Sequence, residues 1–483
     1  MEIKEIKKHL IKIKECLWEI PQSFRSDMRV PARLYASEKI LEDVFRDRSL
    51  WQLVNMTTLP GIVKYALAMP DIHEGYGFVI GGVAATKYPE GAISPGGIGY
   101  DQNCGCRLLL SDFLEKDIKD YLEKLATEIQ AQVPSGLGRG HKIKLSISDL
   151  DRILEGGVPY LVEKGYGQKE DIENCEHGGR IVEANSRSVS LEAKKRGQDQ
   201  LGTLGSGNHF LEIQRVESIF DQKIAKEFGL FLNQIVVMIH TGSRGLGHQN
   251  CTDYLRILMS AVSKYKIHLP DRELVCVPFN SPEGQRFFEA LACASNFAWA
   301  NRHMIMEYTR KAFEKVLGKE AKLKLLYDVA HNIAKIEEYE IDNQKMKLIV
   351  HRKGATRAFP PGHPQLSQKY QETGQPVIIP GSMGTASFIL VGQQESKEAW
   401  HSVCHGAGRT MSRHSALRQF RGQTIIENLK KRGIIVKCHS FRGIAEEAPE
   451  AYKNVEEVVN VVQEAGLARK IAKLSPLAVI KGE

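Results

Sequence analysis

Apolar residues recur along this chain with two periods, and where one period stops a glycine-rich loop tends to begin. The run Ile-Val-Val-Met-Ile-His at 235–240 is β-branched and apolar and reads as a buried strand that ends on a histidine. Residues 322–329 (Lys-Leu-Lys-Leu-Leu-Tyr-Asp-Val) and 376–380 (Pro-Val-Ile-Ile-Pro) read as strands of the same kind. From Gly284 to Leu317 the apolar spacing is helical and breakers are few, which predicts one or two long helices. Val458 to Leu474 predicts another amphipathic helix. Strands, glycine loops and helices alternate without a low-complexity linker or an internal repeat. That pattern predicts a mixed α/β fold, one large domain over residues 1–483 rather than a string of modules.

The glycines gather in a few places: 69–107, 202–212, 240–248, 351–363, 380–387 and 405–409. Strand ends hold side chains rigidly, and glycine lets backbone amides approach an anion closely, so a strand followed by such a loop is a natural seat for chemistry. In the first cluster, Asp101, Asn103 and Cys104 place a carboxylate, an amide and a thiol within four positions. Carboxylate and thiolate are both metal ligands, although a turn with a buried cysteine explains the same residues. His209 follows Asn208 in Gly-Ser-Gly-Asn-His-Phe-Leu-Glu, His240 ends its strand, and His331 follows the strand at 322–329. Each histidine alone has an ordinary structural explanation. Together with Asp101 and Cys104 they form a set suited to two neighbouring divalent ions, and mixed imidazole, thiolate and carboxylate ligation suits Mn²⁺, Zn²⁺ or Co²⁺ better than Mg²⁺. His73 also fits a structural or RNA-facing loop and stays outside that set.

His405 precedes Gly406, Gly408 and Arg409. A histidine can attack phosphorus to give a phosphoramidate, the glycines would bare amides to phosphate, and the arginine would pair with its charge. From the motif alone, an anion-binding loop with a non-catalytic histidine is the simpler reading. The segment 351–363 carries His351, Arg352, Lys353 and Arg357 near Phe359 and reads as a basic loop suited to nucleic acid or to any phosphate.

Composition narrows these options. Hydrophobic residues make up 42% of the 483, enough for a large core, and no apolar run approaches the roughly eighteen residues of a membrane helix. The amphipathic N-terminus lacks a signal peptide's apolar stretch, so a cytoplasmic location is expected. Nine cysteines without a Cys-x-x-Cys pair argue against a disulfide framework or a zinc knuckle. The formal charge of +8 is a mild bias, compatible with a polyanionic partner. There is no P-loop and no recognised RNA-binding module.

From Pro-Asp-Ile-His-Glu-Gly-Tyr-Gly-Phe (70–78) to the terminal Lys-Gly-Glu, these motifs together resemble the RtcB family of RNA-splicing ligases, the 3′-phosphate/5′-hydroxyl nucleic acid ligases. The resemblance implies that family's fold, strands and helices interleaved around a central metal site. It also implies two Mn²⁺ ions, GTP as co-substrate and RNA, such as tRNA halves, as substrate, with a small activator of the archease type among the partners. It carries the family's metal ligands to Asp101, Cys104, His209, His240 and His331, and its guanylylated histidine to His405. Its nucleotide contacts fall on Asn208, Phe210, Glu212, Asn332, Ser382, Ser387, Arg409, Tyr452 and Lys481. The chemistry is apt: Glu212 would accept the guanine N–H pair, and Tyr452 or Phe210 would stack on a base. Gln102 and Cys106 depart from the family's usual aliphatic residues at positions that are not ligands. Two competing readings are a binuclear phosphoesterase, which needs the metal ligands but not His405, and a non-catalytic RNA-binding protein, which needs no metal.

Overall fold

In the computed structural model, which describes residues 3–136, 140–141 and 144–482, two large sheets meet at a one-residue step in the chain. The first sheet runs, in spatial order, Ile11–Lys14, Leu17–Ile20, Ala32–Tyr35, Ile62–His73, Ile80–Lys87, Gln344–Lys353 and Asn332–Ile341. The second runs Lys324–Ala330, Gly105–Leu114, Gln234–Thr241, Phe210–Ile219, Ala468–Lys481, Ser387–Gly392 and Pro376–Ile379, with Ile435–Lys437 added in parallel beside Ala468–Lys481. Lys324–Ala330 borders the second sheet and Asn332–Ile341 borders the first, so the chain steps from one sheet to the other through His331. The predicted mixed α/β fold is the one observed.

The apolar run at 235–239 is continuous because its strand is covered on both faces. Ile235, Val237 and Ile239 pack with Leu125 and Ile129 of helix Leu122–Gln132 and with Ile305 and Phe313 of helix Pro282–Leu317. Val236 and Met238 face the opposite way, into a cluster with Leu108, Ile389, Ile471 and Leu429. The predicted strands at 322–329 and 376–380 are present as Lys324–Ala330 and Pro376–Ile379. The helical stretch from Gly284 is one 36-residue helix, about 54 Å long at 1.5 Å per residue. Its start is set by Ser281, whose side chain accepts from the Gly284 amide, and by Pro282 in the first turn.

Two expectations are corrected. The helix predicted over Val458–Leu474 covers only Val455–Glu464; the chain turns at Gly466, where φ is +75°, and Ala468–Lys481 is a strand. Its partners, Phe210–Ile219 and Ser387–Gly392, lie far away in sequence, so local periodicity could not register them. The segment 351–363 is not a basic loop facing nucleic acid. His351 to Lys353 end a strand and Ala355–Arg357 form the next, while the Arg352 and Arg357 side chains are fully buried. Arg352 meets Glu337 at 2.5 and 2.9 Å, and Glu176 accepts from Lys335 at 2.9 Å with Arg357 at 3.4 Å. These cations are spent on internal carboxylates.

Burial alone would raise the carboxyls of Glu337 and Glu176. For Glu337 the Arg352 guanidinium outweighs burial, and for Glu176 Lys335 and Arg357 do, so both are held near 2. A depressed carboxyl contributes stability that is complete above the ordinary value of about 4.5 and is lost as pH falls toward about 2. Glu337→Gln strands a buried guanidinium and is expected to cost about 3–5 kcal/mol in urea unfolding at neutral pH. It should also flatten the loss of stability between pH 4.5 and 2. A variant with wild-type stability and an unchanged acid profile would contradict this account.

Candidate active site

The site lies where strand ends from the second sheet converge on the passage to the first. Cys104 immediately precedes strand Gly105–Leu114, His209 precedes Phe210–Ile219, His240 is the penultimate residue of Gln234–Thr241, and His331 joins the two sheets. Register brings them side by side: His240 is paired laterally with Cys106 on one neighbour and Phe210 on the other, and Lys481 pairs with Phe210.

Their ligand atoms form two compact groups that share one thiol, Asp101–Cys104–His209 and Cys104–His240–His331, each within 4.8 Å. Cys104 Sγ is 3.5 Å from His209 Nε2 and 3.4 Å from His240 Nε2, which is itself 3.3 Å from His331 Nε2. His209 Nε2 lies 2.7 Å from Asp101 Oδ2. On its other side, Thr241 donates its hydroxyl to the Leu204 carbonyl, so toward His209 Nδ1, 3.3 Å away, the same oxygen can only accept. With the proton on Nδ1, Nε2 and the Asp101 carboxylate are two facing acceptors, an arrangement that calls for a shared proton or a metal ion. Burial, reinforced by neighbouring histidines, pushes His240 and His331 well below the usual imidazole range, leaving both neutral as ligation requires. Burial would raise the Asp101 carboxyl, but His209 outweighs it and holds it at about 2. Burial and Asp101 push the Cys104 thiol up, so a cation would have to displace its proton. The donor set therefore fits divalent ions of the borderline kind. Cys106 is fully buried in its strand among Leu108, Phe210 and Met238, which leaves Cys104 as the thiol that meets the histidines.

The loops are held by a residue that sequence reasoning did not single out. Arg302, fully buried in the long helix, places all five N–H groups: on both oxygens of Asp328 (2.8–3.1 Å), on the Asn103 carbonyl and side chain (2.8 and 3.2 Å), and on the Thr241 carbonyl (2.8 Å). Asn103 has φ +55° and turns the chain between Asp101 and Cys104. One guanidinium thus ties the Asp101–Cys104 turn to the end of the His240 strand. Gly242 completes the turn after His240: a Cβ there would fall 2.3 Å from Asp101 Oδ1.

His405 stands beside this cluster, its ring centroid 5.0 Å from that of His331. Its Nδ1 lies 2.5 Å from Oδ2 of Asp71, a fully buried carboxylate, which leaves Nε2 for the cavity. Burial pushes Asp71 up, but the charge and hydrogen bonds of His405 bring it below its ordinary value. The amides of His405 and Gly406 also donate to Asp71, at 2.8 and 3.3 Å. The glycine loop expected to bare these amides to phosphate therefore spends them on the carboxylate that orients the histidine. Gly408, at φ +73°, is required there because a Cβ would fall 2.2 Å from the Asp71 carbonyl. Asp71 was visible in sequence only as part of a glycine-rich loop; its distance of 334 positions from His405 hid the pairing.

A cavity of about 360 Å³ opens in front of His405. Asp101, His240 and His331 line it, as do Asn208, Phe210 and Asn332. Ser382, Arg409, Tyr452 and Lys481 complete the wall, with His73 and Lys353. Arg409 lies 4.9 Å over the Tyr452 ring and 3.2 Å from Glu447. Burial lowers Lys481 to about 8 and Lys353 to about 7. Cys104 is buried behind the cavity wall, and His209 lines an adjoining cleft with Arg244 and Arg413. Two of the residues marked as nucleotide contacts do not line the cavity. Ser387 accepts from the Gly381 amide, and Glu212 is buried with Oε2 on Gln214 and Oε1 without a partner.

Two donor sets sharing a thiol, an imidazole held by a buried carboxylate, and a cavity edged with cations equip a protein for metal-assisted chemistry on phosphates. Comparison with known proteins identifies the family. The family profile described as tRNA-splicing ligase RtcB matches residues 52–482, and the chain belongs to that family. A tRNA-splicing ligase RtcB of Thermococcus kodakarensis is 52% identical over 477 residues, 98% of this chain and 99% of the relative. Proteins of the same description from Aeropyrum pernix and Archaeoglobus fulgidus are each 50% identical, again over 98% of this chain and 99% of theirs. No helix among the described residues is long and apolar enough to cross a membrane.

The shared thiol makes a quantitative prediction. Titration with Mn²⁺ or Co²⁺ is expected to count two ions in the wild type and one in Asp101→Ala, while Cys104→Ala weakens both sites and abolishes the thiolate-to-Co²⁺ absorption. Arg302→Lys, which cannot reproduce the five donors, should lower metal affinity by about tenfold to a hundredfold. Two undisturbed ions in Asp101→Ala, or wild-type affinity in Arg302→Lys, would refute the assignment.

Proposed function

We propose that this protein joins broken RNA ends, with GTP and two Mn²⁺ ions, through a guanylyl group carried covalently on His405. The observation that carries the proposal is the Asp71–His405 pair at 2.5 Å, which turns Nε2 toward the cavity beside the metal-donor histidines. A passive RNA-binding protein has no use for an imidazole held in this way, and a phosphoesterase would use it as general acid or base without keeping a covalent nucleotide, which labelling with GTP separates.

In the first step His405 Nε2 attacks the α-phosphorus of GTP; the P–N bond forms as the α–β P–O bond breaks and pyrophosphate leaves. The Nδ1 proton stays between His405 and Asp71, whose carboxylate balances the imidazolium charge of the phosphoramidate. GMP then passes to an oxygen of the RNA 3′-phosphate, freeing the imidazole. Finally a 5′-hydroxyl attacks the activated 3′-phosphorus and expels GMP, leaving a phosphodiester. A 2′,3′-cyclic phosphate end is hydrolysed to the 3′-phosphate beforehand. Divalent cations held by the two donor sets would neutralise phosphate charge and lower the pKa of attacking groups. Arg409 and Lys481 face the cavity as counter-charges, and Phe210 and Tyr452 offer ring faces to a base.

Glu212 does not itself line the cavity but follows Phe210, which does, by two positions on the same strand face, and it is assigned to guanine. Its Oε1 is a buried acceptor without a donor, and burial pushes the carboxyl up to about 8 despite Gln214 and Lys481. Guanine N1–H and N2–H would supply the missing donors and favour the ionised form, whereas adenine presents an acceptor at N1. The role of such a ligase, in tRNA splicing, in RNA repair or in both, is part of the same proposal.

With α-labelled GTP and Mn²⁺ the protein should take up label that mild acid removes and alkali does not, and His405→Ala should take up none while still binding metal. A 3′-terminal phosphate labelled beforehand should become resistant to phosphatase once joined to a 5′-hydroxyl strand; its release during joining would overturn the order of steps. GTP is expected to label the protein on the order of a hundredfold better than ATP, and Glu212→Ala should erase most of that preference. Equal labelling of the wild type by both nucleotides would remove Glu212 from its assigned role.

A further inference from the structure

Residues 409–442 carry nine lysines and arginines against the single Glu427, an excess of eight, which equals the formal excess of the whole chain. The rest of the protein is therefore balanced, and its positive charge is concentrated in one segment. That segment folds as helices Arg413–Gln419 and Gly422–Lys431, the short strand Ile435–Lys437 and the start of helix Phe441–Glu446.

The placement gives the charge a direction. Helix Arg413–Gln419 lies against helix Phe441–Glu446, with Arg413 beside Glu447 at one end. At the other end, Gly422 packs directly on the backbone of Phe441, which brings Arg421 next to Phe441 and Arg442. Arg418, Arg421 and Arg442 are exposed, and neither Arg418 nor Arg421 has a carboxylate partner among the described residues. Phe441 is 60% exposed, more than any other aromatic side chain among the described residues. The helix from Arg413 spans about 10 Å. Arg413 lines both the cavity that holds His405 and the adjoining cleft that holds Asp101 and His209.

We infer that this strip, Arg418, Arg421, Arg442 and Phe441, is the seat for the RNA strand that bears the 3′-phosphate, leading its end past Arg413 to His405. The inference rests on the ligase reading. Exposed arginines, two without a carboxylate partner and Arg442 only loosely paired with Glu446 at 3.4 Å, hold successive phosphates without regard to sequence, and an exposed ring beside them stacks on a base. The strip ends at Arg413, which lines both the cavity of His405 and the cleft of Asp101 and His209, so the strand end it delivers is the one that carries a phosphate. The other end of the break carries only a hydroxyl.

The experiment compares the wild type with Arg418→Ala/Arg421→Ala/Arg442→Ala and with Phe441→Ala, all surface changes away from the cavity. Fluorescence anisotropy would follow binding of a 3′-phosphorylated single strand of about ten nucleotides, alongside a 3′-phosphorylated dinucleotide, a 5′-hydroxyl strand and polyglutamate. The triple variant should bind the long 3′-phosphate strand at least about tenfold more weakly, and the slope of log affinity against log salt should fall by about two. Phe441→Ala should lose about tenfold with the slope unchanged. Dinucleotide binding and GTP self-labelling should stay as in the wild type. Unchanged affinity and slope, or a loss confined to the 5′-hydroxyl strand, would overturn the inference. So would polyglutamate competing as well as RNA while Phe441→Ala is silent, which would make the strip a dock for an acidic protein. Wild-type protein that takes no label from GTP, yet loses the long strand on mutation of the strip, would sink the ligase reading and leave the strip standing.

Discussion

Arg302 sits in the 36-residue helix with its guanidinium wholly removed from solvent, bonded to Asp328 and to the backbone of two loops. A buried ion pair is of little net worth to stability, and breaking one by removing a partner is costly. Its effect here is geometric. The loop containing Asn103 cannot shift without stranding a charged donor, and neither can the turn at Thr241. Arg107 adds a second guanidinium to Asp328 at 2.7 Å from the neighbouring strand, so the acidic centre is shared between helix and sheet. The ligand atoms thereby take their spacing from the core rather than from flexible loops, which is what a metal centre needs if its geometry is to survive thermal motion.

His405, beside the donor set, is anchored from the other sheet. Its supporting strand, Ser402–Cys404, pairs with Ala355–Arg357, and Arg352 reaches Ser402 while bound to Glu337. The buried charges of the first sheet thus position His405 as those of the second position the donor set. His331 belongs to both systems, because it lies at the step between them. A site built at such a seam brings together groups that no single element could present, at the cost of several ions being buried in fixed pairs.

Positive charge is sorted accordingly. Arg107, Arg302, Arg352 and Arg357 are interior and paired, and their role is structural. Arg409 and Lys481 face the cavity. Arg418, Arg421 and Arg442 lie outside. A basic residue in the sequence says nothing about which of these it is, because the sorting depends on carboxylates that arrive from elsewhere in the chain. The basic segment at 351–363 looked like a nucleic-acid loop for that reason, while 409–442 did not stand out.

The sequence by itself determined the element types with strong periods: the buried strand at 235–240, the long helix after Pro282, and the alternation that makes the fold mixed. Strong local patterns of that kind do not depend on distant partners. It also held the residues of the donor set, since imidazole, thiolate and carboxylate beside glycine turns are unusual enough to be recognised in company. What only the tertiary structure decided was pairing. Asp71 reaches His405 across 334 positions and Asp328 accepts from Arg107 across 221. The strand at 468–481 replaces a predicted helix because its neighbours come from residues 210–219 and 387–392. Hydrogen bonds and ion pairs act over a few ångströms of space, not of sequence, and a reading confined to neighbours along the chain has no access to them.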